Sequence, residues 1–175
     1  MKPQAGPSAN NMTLVITGVI ILLVLLGVGL YVGFSLTNTS TVSTNPAFEE
    51  FADYDTQSIM VNDQIFDVYV ADTSSRRIQG LSGITWLDEN EGLLFNFNES
   101  GQHPFWMKDM NFAIDIIWLD SDYRVVHIER NVSPDTYPNT FGGDVDSQYV
   151  LEVNSEQVNG IEIGDTLHVT GGRNN

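Results

Sequence analysis

The residues best equipped for chemistry gather in HPFWMK, where His103, Trp106 and Lys108 place a titratable ring, a large aromatic surface and a cation close together. Such a set suits recognition of a ligand with one polar and one apolar side. It equally suits an aromatic core cluster, because large aromatic rings are usually buried for packing. Asp115 follows in AIDIIWL, a run that is otherwise apolar, and Lys108 is also flanked by apolar neighbours. A charge in an apolar strand must be paired or open onto a concave surface, since burying it alone costs on the order of several kcal/mol. The two readings are an ion pair that fixes strand register and a ligand-binding cleft.

Other motifs are weaker. Among the 3 histidines, none forms the HxxxH or HExxH spacing that sets two imidazoles on one face, so His127 and His168 read as strand residues. Gly80-Leu81-Ser82-Gly83 is one residue short of the G-x-S-x-G nucleophile elbow and follows a helical segment instead of a strand. Asp144, Asp146, Gln148 and Glu152 echo the oxygen spacing of a calcium loop, but Tyr149 stands where that loop needs glycine. With 0 cysteines, disulfides, thiolate metal sites and cysteine nucleophiles are all excluded. No cofactor, metal or catalytic residue is called for by these motifs.

The elements that must hold these residues follow from hydropathy and charge. From Thr13 to Phe34 the chain carries no charge, and at a rise of about 1.5 Å per residue a helix of that length crosses a hydrocarbon core of about 30 Å. A secretory signal peptide is the alternative, but the run is too long and lacks an Ala-x-Ala-like site. Lys2 precedes the span and no Lys or Arg follows it until Arg76, so residues 1–12 are expected in the cytoplasm and the rest outside it, at the cell membrane. Gly29 and Gly33 make a GxxxG pattern, the spacing of a helix homodimer and also an ordinary use of glycine in membrane helices. Residues 35–57 are small and polar, with Pro46 breaking any continuing helix, and read as a flexible stalk. Asn38, Asn98 and Asn131 each open an N-x-S/T triplet, an acceptor only where glycosylation machinery exists.

All 23 acidic residues lie from Glu49 onward, against 6 basic ones from Arg76 onward, so the excess behind a net charge of −16 belongs to one acidic domain over residues 58–170. Such a surface repels phosphate backbones, which argues against nucleic acid as a partner and fits a solubilising role. Within it, IMVNDQIFDVYV has the pattern of a hairpin turning at Asn62-Asp63, and Thr73, SSRRIQ and Gly80 supply the cap, body and stop of one short helix. Strand-like runs recur at 92–97, 103–107, 113–119, 123–129, 149–153 and 166–170. A tight hairpin is expected at Asp120 to Asp122, and a long loop over Asn131 to Ser147. The spacing predicts a mainly β fold: an antiparallel β-sandwich or barrel with one short helix, preceded by a single transmembrane α-helix and ending in a tail at 171–175.

Five phrases, VADTSSRRIQGL at 70–81, EGLLFNF at 91–97, PFWMKDMNFAIDIIWLD at 104–120, YVLEVN at 149–154 and IEIGDTL at 161–167, together resemble the domain of unknown function 192 family. The resemblance runs from about Ile59 to Val169 and is most specific in the FWMK segment leading into IDIIWLD. The chain departs from the usual phrases at Ser82, Leu93 and Ala113 and over Asn154 to Glu156. The resemblance implies a compact β-rich domain, often exported or membrane-attached, whose biochemical role is not established.

Arg77 and Glu152 lie in those family phrases, as do Lys108 and Asp115. Because cations are scarce, Arg77 and Lys108 are expected to line one polar recess near Trp106, so the candidate ligand-binding set is Arg77, His103, Trp106, Lys108, Asp115 and Glu152. Two functions follow. One is an anchored extracytoplasmic module that binds a small molecule, a glycan or a partner protein. The other is a hydrolase at the cell surface with Asp115 and Glu152 as an acid and base pair, which requires the carboxylates to lie about 5 to 9.5 Å apart.

Overall fold

The computed structural model describes residues 45–61 and 63–173. The expected span at 13–34, its GxxxG pattern and Asn62 lie outside the described residues. Among the described residues no helix is long and apolar enough to cross a membrane.

Proline at a first helical position costs no hydrogen bond, because that N–H would be unsatisfied anyway. Pro46 accordingly opens a short helix, α1 (Pro46–Glu50), whose cap Asn45 accepts from the Ala47 N–H. Phe51 behind it is buried against Tyr54 and Tyr69. The segment from Asn45 onward, expected as the end of a flexible stalk, is therefore part of the fold, since its apolar residues have a face of the sheet to cover.

The strands are β1 (Thr56–Val61), β2 (Gln64–Ala71), β3 (Glu91–Gln102), β4 (Phe105–Trp106), β5 (Ile114–Leu119), β6 (Val125–Val132), β7 (Thr140–Phe141), β8 (Asp146–Asn154) and β9 (His168–Arg173), with α2 (Ser74–Gln79) between β2 and β3. Seven of them form one sheet in the order β6-β5-β8-β3-β2-β1-β9, while β4 pairs separately with β7, which lies in the long 131–147 stretch. The sheet is mixed rather than antiparallel: β2 and β3 run parallel, Val68 opposite Gly92 and Val70 opposite Leu94. Parallel neighbours need a crossover of about a dozen residues or more, and the segment carrying α2 supplies it. Nor do the strands divide into the two facing sheets of a sandwich. The residues leading into the two edge strands meet instead, Arg124 pairing antiparallel with Thr166, so the sheet curls until its edges touch at one end.

Both faces of this sheet are covered. Leu93, Phe95, Ile116, Trp118 and Val150 lie on one face beneath Phe51, Leu81 and Met107. Phe66, Val68, Leu94, Ile117, Leu151 and Val153 lie on the other with Val158, Ile161 and Leu167. That double coverage explains why all of β5 is buried and why IDIIWL reads as a nearly continuous apolar run. The hairpin at Asp120 forms as expected, its Oδ1 accepting from the N–H groups of Asp122 at 2.8 Å and Arg124 at 3.0 Å. Asp146, Gln148 and Glu152 lie along extended β8 and not in a loop, which removes the calcium-loop geometry. β9 continues to Arg173, so the expected 171–175 tail is partly strand.

Candidate ligand-binding recess

Two consecutive arginines on α2 diverge because a helix turns about 100° per residue. The helix is only two turns long, started by Thr73 and ended at Gly80, whose φ of 52° falls in the region glycine tolerates best. Arg76 turns outward to Asp72 at 2.9 Å and Asp53 at 3.5 Å and lies over the Tyr54 ring. Arg77 turns toward the sheet, its Nη1 donating to the carbonyls of Asp72 at 2.7 Å and Asn96 at 2.9 Å, with the guanidinium 5.2 Å from the centroid of Phe97.

Phe95 and Phe97 alternate with Asn96 along β3 and so share a face. The His103 ring stacks on Phe97 with centroids 3.5 Å apart, and Phe105 meets Phe95 edge-on at 4.7 Å. The indole N–H of buried Trp118 donates to the His103 carbonyl at 2.9 Å, fixing this turn against β5. Trp106, 54% exposed, stands at the rim with Tyr137 edge-on to it. Together α2, the Gly80 to Ser82 turn, β3 and residues 103–106 enclose a recess of about 420 Å³ with Glu152 among its lining residues. That volume lies in the range of small-molecule sites.

Glu152 belongs to a central strand, between Leu93 of β3 and Ile116 of β5, and is 4% exposed. Gly92 permits this close packing, since a Cβ there would sit 2.8 Å from the Glu152 carbonyl oxygen. The carboxyl has no ion-pair partner and its Oε2 has no hydrogen-bond partner among the described residues. Burial alone pushes its pKa up to about 8, so at neutral pH it is mainly a neutral carboxylic acid. His103 is shifted the other way, chiefly by burial with the Arg77 charge adding to it, which leaves the ring neutral; its Nε2 is also buried without a partner.

Of the six residues singled out from sequence, Arg77, His103, Trp106 and Glu152 line this recess. Lys108 does not. It lies in the turn after β4 with its side chain exposed, and only its carbonyl is engaged, by the Ser82 hydroxyl at 2.9 Å. Asp115 serves the backbone: Oδ1 accepts from Asn131 N–H at 2.8 Å and Oδ2 from Glu156 N–H at 3.1 Å, both residues having positive φ. Asp115 is in register with Val153, and Ile116 with Glu152, so the two carboxylates leave the sheet on opposite faces and form no pair across the recess. Neither Arg77 nor Lys108 makes an ion pair with either acid. Among the described residues no three His, Asp or Glu side chains converge to hold a metal ion.

Sequence reasoning missed Phe95, Phe97 and Leu81 as walls of the site. The alternation in GLLFNF was a usable sign, because it puts two phenylalanines on one face.

Comparison with known proteins adds the following. Residues 57–169 match the family DUF192, described as Uncharacterized ACR. The crystal structure of a provisionally assigned transcription regulator from Sinorhizobium meliloti 1021 is similar at 26% identity and a TM-score of 0.61, covering 67% of this chain and 96% of that one. A protein of unknown function from Novosphingobium aromaticivorans is similar at 27% identity and a TM-score of 0.59, covering 65% of this chain and 83% of that one. No curated protein matches the chain.

Proposed function

We propose that this chain, which belongs to the uncharacterised family DUF192, is a membrane-anchored extracytoplasmic module that binds a small amphipathic molecule in the recess between α2 and β3. The observation that carries this reading is the carboxyl of Glu152, buried at the recess without a partner. A buried polar group is nearly always hydrogen-bonded, and one left unpaired costs about 1 to 3 kcal/mol, so a site that keeps it facing an open volume is one that a ligand completes. The aromatic walls and the half-buried Arg77 supply the apolar and polar halves of such a contact. The absence of a facing carboxylate across the recess favours binding over the acid and base pair of a hydrolase. The transcription-regulator role provisionally assigned to the Sinorhizobium protein is not carried over, and direct binding of nucleic acid is disfavoured by a net charge of −16.

The test is a melting-temperature screen of small amphipathic molecules on the full chain. A ligand at about 100 times its dissociation constant stabilises the native state by roughly 2.7 kcal/mol. A true ligand loses its effect in Trp106→Ala, a rim change that leaves the core alone. Hits whose shifts survive Trp106→Ala bind elsewhere and overturn the assignment. The anchor rests on the uncharged run from Thr13 to Phe34, and its orientation on Lys2 before that run with no Lys or Arg after it until Arg76. Protease applied to intact cells should release the acidic domain; its protection would reverse the topology.

A further inference from the structure

The recess has two chemically different ends. Arg77 stands beside Phe97 and His103, its Nη1 committed to two backbone carbonyls, while neither Nη2 nor Nε has a protein partner among the described residues. Glu152 stands in the central strand β8, 4% exposed, with Oε2 unpartnered among the described residues. Arg77 is held at Asn96 of β3 while Glu152 lies opposite Leu93, three residues back along the same strand, which at a rise of about 3.3 Å per residue sets their attachment points roughly 10 Å apart. Phe95, Phe97 and Phe105 form the surface between them.

Resting on the binding reading above, we propose that the ligand is an oxygenated carboxylic acid, held with its carboxylate on the open edge of Arg77, its apolar body along the phenylalanines, and a carbonyl or hydroxyl oxygen at Glu152. The choice against an amine follows from desolvation. An ammonium at the Glu152 end would require two charges to be buried together in a dry place, a cost that their attraction often fails to recover. It would also enter a recess whose one lining cation is Arg77. A neutral oxygen at a protonated carboxyl takes an ordinary hydrogen bond and requires no buried charge. At the other end the guanidinium is only half-buried and fits a carboxylate with two parallel donors. The repulsion of an anion by the acidic surface is screened beyond about 8 Å at physiological ionic strength.

Four probes that share one skeleton separate the alternatives on the full chain by calorimetry: benzoylpropionate, its methyl ester, phenylbutyrate, which lacks the ketone, and phenylbutylamine. Benzoylpropionate is expected to bind about tenfold more tightly than either the ester or phenylbutyrate, the loss of one good hydrogen bond. Glu152→Leu should erase the preference over phenylbutyrate, and Arg77→Met the preference over the ester. Glu152→Gln, which keeps a donor at that position, should retain part of the first preference and guards against a folding defect in the leucine variant. If phenylbutylamine binds best and Trp106→Ala weakens it, the ligand class is wrong while the recess stands. If no probe binds, or Trp106→Ala leaves binding unchanged, both the ligand class and the recess reading fail.

Discussion

Glu152 and Asp115 are both buried carboxyls in adjacent strands, yet their surroundings assign them different work. Asp115 spends both oxygens on the N–H groups of two residues with positive φ, Asn131 at a register irregularity of β6 and Glu156 in the turn after β8. Asp115→Ala strands those donors and should lower stability by about 3 kcal/mol in urea denaturation, whereas Lys108→Met, at an exposed turn, should stay within about 0.5 kcal/mol. Glu152 has the opposite thermodynamic sign. Its ordinary pKa of 4.5 rises to about 8 on folding, so between those values the native state binds a proton that the unfolded chain has released. Its contribution to stability is therefore fully present below about 4.5 and is lost as pH rises through about 8, with a slope of up to roughly 1.4 kcal/mol per pH unit. Glu152→Gln should remove that slope and gain on the native protein as pH rises. HPFWMK disclosed His103 and Trp106 through composition, but Lys108 misled because a turn, not a strand, carries it. The role of Asp115 was hidden because its partners lie 16 and 41 residues further along the chain.

Among elements, the least legible was the parallel pair. A helix flanked by two apolar strands was read correctly as a helix, and its consequence, a β-α-β crossover that places β2 beside β3, was missed because every other connection invited an antiparallel reading. That crossover creates the recess, since it lays α2 over Phe97. α1 was missed for a related reason: Pro46 was taken as a breaker, whereas at a helix start it costs nothing. The contact between β3 and β8 is the tightest test of this packing. At Gly92 a Cβ would meet the Glu152 carbonyl oxygen at 2.8 Å and Val153 at 3.0 Å. Gly92→Ala should therefore cost about 1 to 3 kcal/mol through forced separation of the two strands, read as a lowered denaturant midpoint. An unchanged midpoint would show that the strands yield there.

At the scale of the molecule, charge sets the conditions under which the site works. The net charge of −16 leaves most carboxylates without a cation, and the side-chain ion pairs among the described residues are Arg76 with Asp53 and Asp72, and His127 with Glu129 when that ring is protonated. Self-repulsion of this kind destabilises the compact state and is screened by salt. The melting temperature should accordingly rise as sodium chloride goes from about 0.05 to 1 M, where the screening length falls from above 10 Å to about 3 Å; a flat or falling profile would contradict it. The mainly β class, the acidic domain and the family resemblance were all legible in the sequence, because composition and strand spacing are local properties. A curled sheet was within the expected sandwich or barrel, but which strand ends meet, those leading into β6 and β9, is set by pairing between residues far apart in the chain and was not legible. Recognition in this recess depends on a neutral carboxylic acid whose open side a ligand completes. The most direct measurement is the carbon-13 NMR titration of the Glu152 side-chain carboxyl in the full chain, assigned by its loss in Glu152→Gln, with and without benzoylpropionate. A midpoint near 8 and a signal displaced by the ligand are expected. A midpoint near the ordinary 4.5 with no response to the ligand would contradict that mode of recognition.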